Sequence, residues 1–160
     1  TEIVITGIAN KFSIAYGIAK SMSRNGAELA FLYQNERLLK KIKPLAEDLG
    51  VETLVECDVS SDASIAKAFQ AIKSKWGNID GLVHSIGFAP TDQLEGDFTE
   101  VTTREGFQIA HDISSYSFTA LAKAALPILN ENSALLTLTY LGSIQSLPNY
   151  NVMGLSLIHI

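Results

Sequence analysis

Five short apolar segments alternate with four amphipathic segments of helical length, no linker or repeat interrupts them, and the first apolar segment runs directly into a glycine turn. That pattern predicts an α/β fold, a three-layer Rossmann-type doubly wound parallel sheet with right-handed crossovers, truncated after its fifth strand. The strands are expected at Glu2–Thr6 (E-I-V-I-T), Glu28–Tyr33 (E-L-A-F-L-Y), Thr53–Glu56 (T-L-V-E), Gly81–Ser85 (G-L-V-H-S) and Ala134–Thr139 (A-L-L-T-L-T). Each is short and apolar, as a strand covered on both faces should be. Helices are expected at Ser13–Asn25, Glu36–Leu49, Ser61–Trp76 and Thr99–Leu129. In the last, Ile109, Ile113, Tyr116, Ala120 and Ala124 recur at helical spacing, and Pro127 stands near the end, where a proline stops a helix.

A chain of 160 residues is one domain's worth, enough to bury roughly 70% of the surface its unfolded form exposes. Apolar residues make up 47% of it, and no run reaches the ~18 apolar residues of a membrane span. A net charge of -5 without a block of Lys or Arg argues against nucleic acid or an anionic membrane as partner, because both are bound through clustered positive charge. The single Cys57 excludes an internal disulfide framework, and there is no secretory leader pattern, so a reducing, cytoplasmic setting is expected. The first residue is Thr1 rather than Met, which reads as a clipped amino end.

In doubly wound sheets ligands sit at the carboxyl ends of the strands. The turn after the first strand reads G-I-A-N-K-F-S-I-A-Y-G, Gly7 to Gly17. It lacks the middle glycine of a G-x-G-x-x-G fingerprint, and Ser13 stands where the helix begins, able to cap it and to offer a hydroxyl to phosphate. A turn glycine followed by an ordinary cap serine would look the same. The second strand ends Y-Q-N, where the Gln34 amide can bond a ribose hydroxyl but cannot repel a 2′-phosphate; a polar strand end is the competing account. After the third strand comes C-D-V, with Asp58 able to accept from an adenine amine and Val59 to pack beside the ring, or else with Asp58 as a helix cap. The fourth strand ends S-I-G, Ser85 to Gly87, where glycine lets the backbone lie against a ribose or nicotinamide. Four strand ends with plausible nucleotide contacts outweigh any one of them.

The fifth strand runs into Tyr140, and a second phenol, Tyr150, follows ten residues later at the start of a helix, in T-Y-L-G-S-I-Q-S-L-P-N-Y-N-V-M-G-L. Together with the first turn, Y-Q-N, C-D-V, H-S-I-G-F-A-P and T-R-E-G-F-Q-I-A-H-D-I-S-S-Y-S-F, these motifs resemble the NADH-dependent bacterial enoyl-acyl carrier protein reductases of the short-chain dehydrogenase/reductase superfamily. The resemblance runs from Glu2 to Leu155 without a visible gap. It implies reduction of trans-2-enoyl-acyl carrier protein, the last reductive step of fatty acid elongation, by a homotetramer. It implies NADH contacts at Gly7, Ser13, Ile14, Gln34, Asp58, Val59, Ser85, Ile86 and Gly87, and places Phe88 and Ala89 beside the acyl substrate with Tyr140, Tyr150 and Met153 around the thioester. Tyr150, and below it Tyr140, would be the catalytic pair: hydride goes to the β carbon, and Tyr150 stabilises the oxyanion that develops. An unperturbed phenol titrates near ~10, so a proton donor of this kind wants a cationic neighbour. The family pattern puts a lysine seven residues after the tyrosine, where Leu157 stands here, and the wider superfamily four residues after it, where Gly154 stands.

The family pattern fails after Leu155, in S-L-I-H-I. Leu-Ser-Leu-Ile-His-Ile is also one frame of the common sequencing-library transposon end CTGTCTCTTATACACATC. The expectation is therefore a dinucleotide-binding domain over 1–155, incomplete at both ends, and a non-native adapter tail over 156–160; a natural lysine-free variant is the alternative. A chain cut there leaves the fifth strand as an open apolar edge and is expected to aggregate.

Other residues carry less. His84 reads as a strand-end histidine with a hydrogen bond, and His111 and Asp112, as helix neighbours about 100° apart, do not face one another. No Cys/His cluster has metal-ligand spacing. Arg104 and Glu105 read as a solvated helix face, and Trp76 as packing. Two other functions stand beside the reductase: a carbonyl reductase of the same superfamily, which would place a serine near Tyr140 and a lysine at Gly154, and a lysine-free dinucleotide-binding or regulatory module, for which Leu157 is the evidence.

Overall fold

Three consecutive β-branched residues, Ile3, Val4 and Ile5, stiffen β1 (Glu2–Thr6) into an extended strand whose side chains point alternately to opposite faces. In the computed structural model, which describes residues 1–158, β1 is the middle of a five-stranded sheet of order β3-β2-β1-β4-β5. It pairs in parallel with β2 (Glu28–Tyr33), from Glu2↔Glu28 to Thr6↔Leu32, and with β4 (Ile79–His84), from Ile3↔Gly81 to Ile5↔Val83. β3 (Thr53–Glu56) pairs in parallel with the outer side of β2.

The alternation along β1 and β2 decides the layers. Ile3, Ile5, Leu29 and Phe31 pack against Ala15, Tyr16 and Ala19 of α1 (Ile14–Arg24) and Ile42 and Ala46 of α2 (Glu36–Asp48). Val4, Ala30 and Leu32 face the other way, onto Ile65, Phe69 and Ile72 of α3 (Asp62–Trp76) and onto Leu121 and Ala125. With both faces covered, the central strands are buried along their middles, with only residues at or near their ends reaching solvent, and the three-layer doubly wound sheet stands as expected.

The expected single helix Thr99–Leu129 is not there. It is replaced by α4 (Phe98–Val101), α5 (Arg104–His111), a π turn (Asp112–Tyr116), α6 (Ser117–Ala125) and a 3₁₀ turn (Leu126–Ile128). The break falls where Thr103 turns extended and its hydroxyl accepts from the Gly106 amide, starting a new helix. The π turn adds a residue to the helical repeat, so the buried positions run through Ala110, Ser114, Ser117, Leu121 and Ala125; of the expected stripe Ala120 is buried with them, whereas Tyr116 is 51% exposed. Pro127 does end the run.

Two strand boundaries also move. β4 starts at Ile79 because the carboxylate of Asp80 accepts from the Glu2 amide at 3.0 Å and from Asn130 Nδ2 at 2.6 Å, tying together the starts of β1, β4 and β5. β5 spans Leu129–Thr137 rather than Ala134–Thr139, beginning earlier, with polar residues, and ending two residues sooner. As an end strand it is mostly exposed, with Leu135 and Leu136 at 39% and 43%, so it is not covered on both faces as expected. The chain forms two units: Thr1–Ser85 with Ala120–Leu136, and Ile86–Thr119 with the described residues from Thr137 on. Of the expected tail 156–160, Ser156 and Leu157 are buried in α7 (Asn151–Ile158), and 159–160 lie outside the described residues.

Candidate active site

In the first unit the site is built on the ends of β1, β3 and β4. Gly7 holds φ +83, and a Cβ there would lie 1.8 Å from the Ser85 carbonyl oxygen, so only glycine lets the turn after β1 pass the end of β4. Thr6 fixes the same place: its hydroxyl donates to the Val83 carbonyl at 3.0 Å and accepts from the Ser85 amide at 3.2 Å. Ser13 occupies the cap position of α1 but makes no cap bond within the helix. Its Oγ turns back to accept from the Ala9 and Asn10 amides at 3.0 and 3.1 Å. The expectation that Ser13 caps α1 is thereby corrected. Two N–H donors thus converge on the Ser13 oxygen. No acidic residue sits in the first turn of α1, where the Tyr16 and Gly17 amides donate to the Ser13 carbonyl and the Ile14 and Ala15 amides lead the helix. Ile14, 67% exposed, opens that turn. The combination suits a phosphate.

Gln34 and Asn35 follow β2 on the surface, Asn35 spending its Oδ1 on the Leu38 amide as the cap of α2. Asp58 is not the cap of α3; that is Ser61, which accepts from the Ser64 amide. One oxygen of Asp58 accepts from the Ser60 amide and hydroxyl at 3.0 and 2.7 Å, while its own amide donates to Ser64 Oγ. This network fixes the carboxylate at the end of β3, and Val59 packs on the core beside it.

In the second unit the two phenols come together. Tyr140, 53% exposed, opens the 3₁₀ turn Leu141–Ser143, and Tyr150 directly precedes α7. Their rings meet edge to face with centroids 5.3 Å apart. The turn that delivers Tyr150 is unusual: Asn149 and Asn151 both hold positive φ, at 58° and 28°, which asparagine tolerates better than most residues. Asn151 Nδ2 donates to the Leu94 and Gly96 carbonyls and anchors that turn. Burial, and then the Tyr140 phenol, push the Tyr150 hydroxyl above its ordinary pKa. A cavity of about 360 Å³, lined in part by Phe98, Ile144, Leu147, Leu155 and Ile158, opens against the Tyr150 ring.

The segment Ile86 to Ala89 belongs to this unit as well. A Cβ on Gly87 would lie 2.6 Å from Met153 Cε, so that glycine is what allows Met153 to lie there. Phe88, 48% exposed, is held through its backbone by Ser114 of the π turn. The Ser114 hydroxyl accepts from the Phe88 amide and donates to the Phe88 carbonyl, both at 2.9 Å, as a neighbouring strand residue would. Its oxygen lies 3.9 Å from Met153 Sδ.

Residues 7–157 match the family model described as enoyl-(acyl carrier protein) reductase. The chain belongs to the enoyl-(acyl carrier protein) reductase family. It is 58% identical over 155 residues to the enoyl-acyl-carrier-protein reductase (NADH) FabI of Escherichia coli K12, covering 97% of this chain and 59% of that protein. To the corresponding FabI of Neisseria meningitidis serogroup B it is 49% identical over 156 residues, covering 97% of this chain and 60% of that one. The crystal structure of the NADH reductase from Aquifex aeolicus superimposes with a TM-score of 0.96 at 44% identity, over 99% of this chain and 63% of that chain. The reductase of Anaplasma phagocytophilum in complex with NAD gives 0.96 at 39% identity, over 99% of this chain and 60% of that chain. The chain thus spans 59% of the Escherichia coli protein it matches.

Within this member of the reductase family, the sequence singles out the two tyrosines and the strand ends, whereas Thr6, Ser114 and Gly142, which meet Ser85, Phe88 and Tyr150, stand out only in the structure. Thr6 looked like an ordinary strand end, Ser114 is one of three serines in a helical stretch, and Gly142 is one more turn glycine. At Leu157, 6% exposed in α7, no cation is present, and Gly154 leaves no room for one: a Cβ there would lie 2.7 Å from the Gly142 carbonyl oxygen. His84 is buried, and burial holds its pKa down at about 4, so it is neutral at pH 7. His111 stacks on the Phe107 ring at 4.0 Å and bonds the Phe107 carbonyl through Nδ1. Trp76 donates to Glu28 at 2.8 Å. No group of His, Cys, Asp and Glu among the described residues could hold a metal, and no helix among them is long and apolar enough to cross a membrane.

Proposed function

We propose that this chain carries the dinucleotide-binding and carbonyl-activating parts of a reductase that converts a trans-2-enoyl thioester on acyl carrier protein to the saturated thioester with NADH. The observation that carries the reading is the Tyr140–Tyr150 pair directly before α7. The reading assigns NADH contacts to Gly7, Ser13, Ile14, Gln34, Asp58, Val59, Ser85, Ile86 and Gly87, and substrate contacts to Phe88, Ala89, Tyr140, Tyr150 and Met153. The Gly7 turn, which a single Cβ would close, and the Ser13 hydroxyl at the start of α1 fit a pyrophosphate. Gln34 favours NADH only softly, because it neither repels nor binds a 2′-phosphate strongly.

Bound NADH supplies the hydride that reaches the β carbon of the enoyl group. Tyr150, kept neutral by its raised pKa, donates its phenol hydrogen bond to the thioester carbonyl as that oxygen gains enolate charge. The α carbon then takes a proton, completing the addition of hydride and proton across the double bond. Tyr140 packs on the Tyr150 ring and limits its swing. The apolar cavity beside Tyr150 suits an acyl chain.

The domain reading is a dinucleotide-binding domain over 1–155 with a non-native tail over 156–160. The relatives' names support acyl carrier protein as the partner of the substrate. The homotetramer and the cytoplasmic setting belong to the same proposal. Leu157 is the one observation that favours a second reading, a dinucleotide-binding module that has lost catalysis. The carbonyl reductase reading is disfavoured by the closed space at Gly154.

The test begins with a read of the source gene across codon 157, followed by an assay of the encoded protein with NADH and crotonyl thioester. A lysine codon at 157 and NADH oxidation that falls at least about 100-fold with leucine there are expected, the usual size of a lost proton-transfer partner. A genomic Leu157 with no turnover, and none on Leu157→Lys, overturns the reading.

A further inference from the structure

We propose that Gly142 is a positioning residue for Tyr150, its missing side chain being the seat that sets where the phenol hydroxyl stands. The proposal rests on the reading of Tyr150 as the group that hydrogen-bonds the substrate carbonyl.

A methyl group on Gly142 would lie 2.6 Å from Cδ1 and 2.8 Å from Cε1 of Tyr150. Carbon atoms settle at about 3.5–4.0 Å, so the ring would have to retreat by about 1 Å. The atoms met are the rigid edge of a ring, and a ring that tilts to clear its edge carries its hydroxyl along. Its other surroundings are also close. A Cβ on Gly154 would lie 3.3 Å from Tyr150 Cδ1, and Tyr140 leans on the ring edge to face.

The remaining constraints on Gly142 are weak. It is absent from the residues with positive φ, so alanine fits its backbone without strain. The third neighbour of an added Cβ, Leu147 Cδ1, lies at an ordinary 3.5 Å. Gly154 differs, because a Cβ there meets the backbone oxygen of Gly142 itself at 2.7 Å and would part α7 from the turn. An added methyl at Gly142 therefore acts on one ring. A misplacement of about 1 Å at a reacting group costs on the order of 100-fold in rate.

The experiment is a double-mutant cycle in the active reductase, Gly142→Ala with and without Tyr150→Phe. Gly142→Ala alone is expected to lower kcat by about 10- to 100-fold while KM for NADH and the melting transition hold. On the Tyr150→Phe background the same substitution should change the residual kcat by less than about twofold, as it must when it acts only through the phenol. An unchanged kcat, an equal loss in both backgrounds, or a variant that does not fold overturns the proposal, since each removes the restriction to one ring. A crystal structure of Gly142→Ala separates this inference from the functional reading. A displaced Tyr150 in a protein whose parent does not reduce enoyl thioesters leaves the positioning standing and removes the function, and an undisplaced Tyr150 removes the positioning.

Discussion

Tyr140 and Tyr150 meet edge to face with their planes inclined at 61°. This is a favoured aromatic geometry, and it sets one phenol against the other. Burial is the first cause of the raised Tyr150 pKa and the Tyr140 phenol the second. A phenol so placed is a hydrogen-bond donor across the neutral range, and it needs outside help to give up its proton.

Removing the hydroxyl of Tyr140 tests that ordering. Tyr140→Phe is expected to lower the alkaline titration of Tyr150 yet leave it above 10, because burial is the larger cause. The midpoint is read by tyrosinate absorbance as the difference from Tyr150→Phe. Because the folded-state pKa is raised, the phenol's contribution to stability is complete below pH 10 and is lost as pH rises through the raised value. Tyr140→Phe should narrow that alkaline window. A Tyr150 midpoint that does not move would leave Tyr140 without electrostatic influence.

Gly7→Ala puts a Cβ 1.8 Å from the Ser85 carbonyl oxygen at a φ of +83. The turn must open, and a destabilisation of at least about 2 kcal/mol is expected from strain and overpacking. Dinucleotide affinity, measured by fluorescence titration, should fall with it. A variant with native affinity and melting temperature would mean that the turn is not held against β4.

Ser114→Ala removes both hydrogen bonds to the Phe88 backbone and leaves a part-buried amide and carbonyl without that partner. The expected cost is about 1–3 kcal/mol, with faster hydrogen exchange at the Phe88 amide and a rise in KM for the enoyl thioester larger than any fall in kcat. Ser114→Thr, which keeps the hydroxyl, should restore slow exchange. Equal exchange rates in all three proteins would remove the clamp.

Buried His84 ties stability to pH on the acid side. Its pKa falls to about 4 through burial, against an ordinary 6.5, so the unfolded chain takes up the proton first. Stability should therefore decline as pH drops from about 6.5 towards 4, by up to about 3 kcal/mol, and the His84 contribution should level off below that. His84→Gln, followed by urea unfolding across that range, should flatten the slope whatever it does to absolute stability. An unchanged slope would assign the acid sensitivity to other groups.

The sequence by itself determined the layers of the sheet. β1, β2 and β3 have the bounds their apolar runs predict, because a buried strand must be apolar along its length and a polar residue ends it. The glycine turn after β1 and the tyrosine before α7 were legible for a similar reason: each sits at a junction that local pattern marks. Only the tertiary structure decided the rest. The helix expected over Thr99–Leu129 looked continuous because periodicity cannot register the π turn that presents Ser114 to Phe88. β5 starts at Leu129 rather than Ala134, where Asn130 bonds Asp80 fifty positions away, a contact that no local pattern can show. Gly142 carried no signal at all, since what it does is leave room for Tyr150, and empty space beside a ring is created by folding and written in no single stretch of chain.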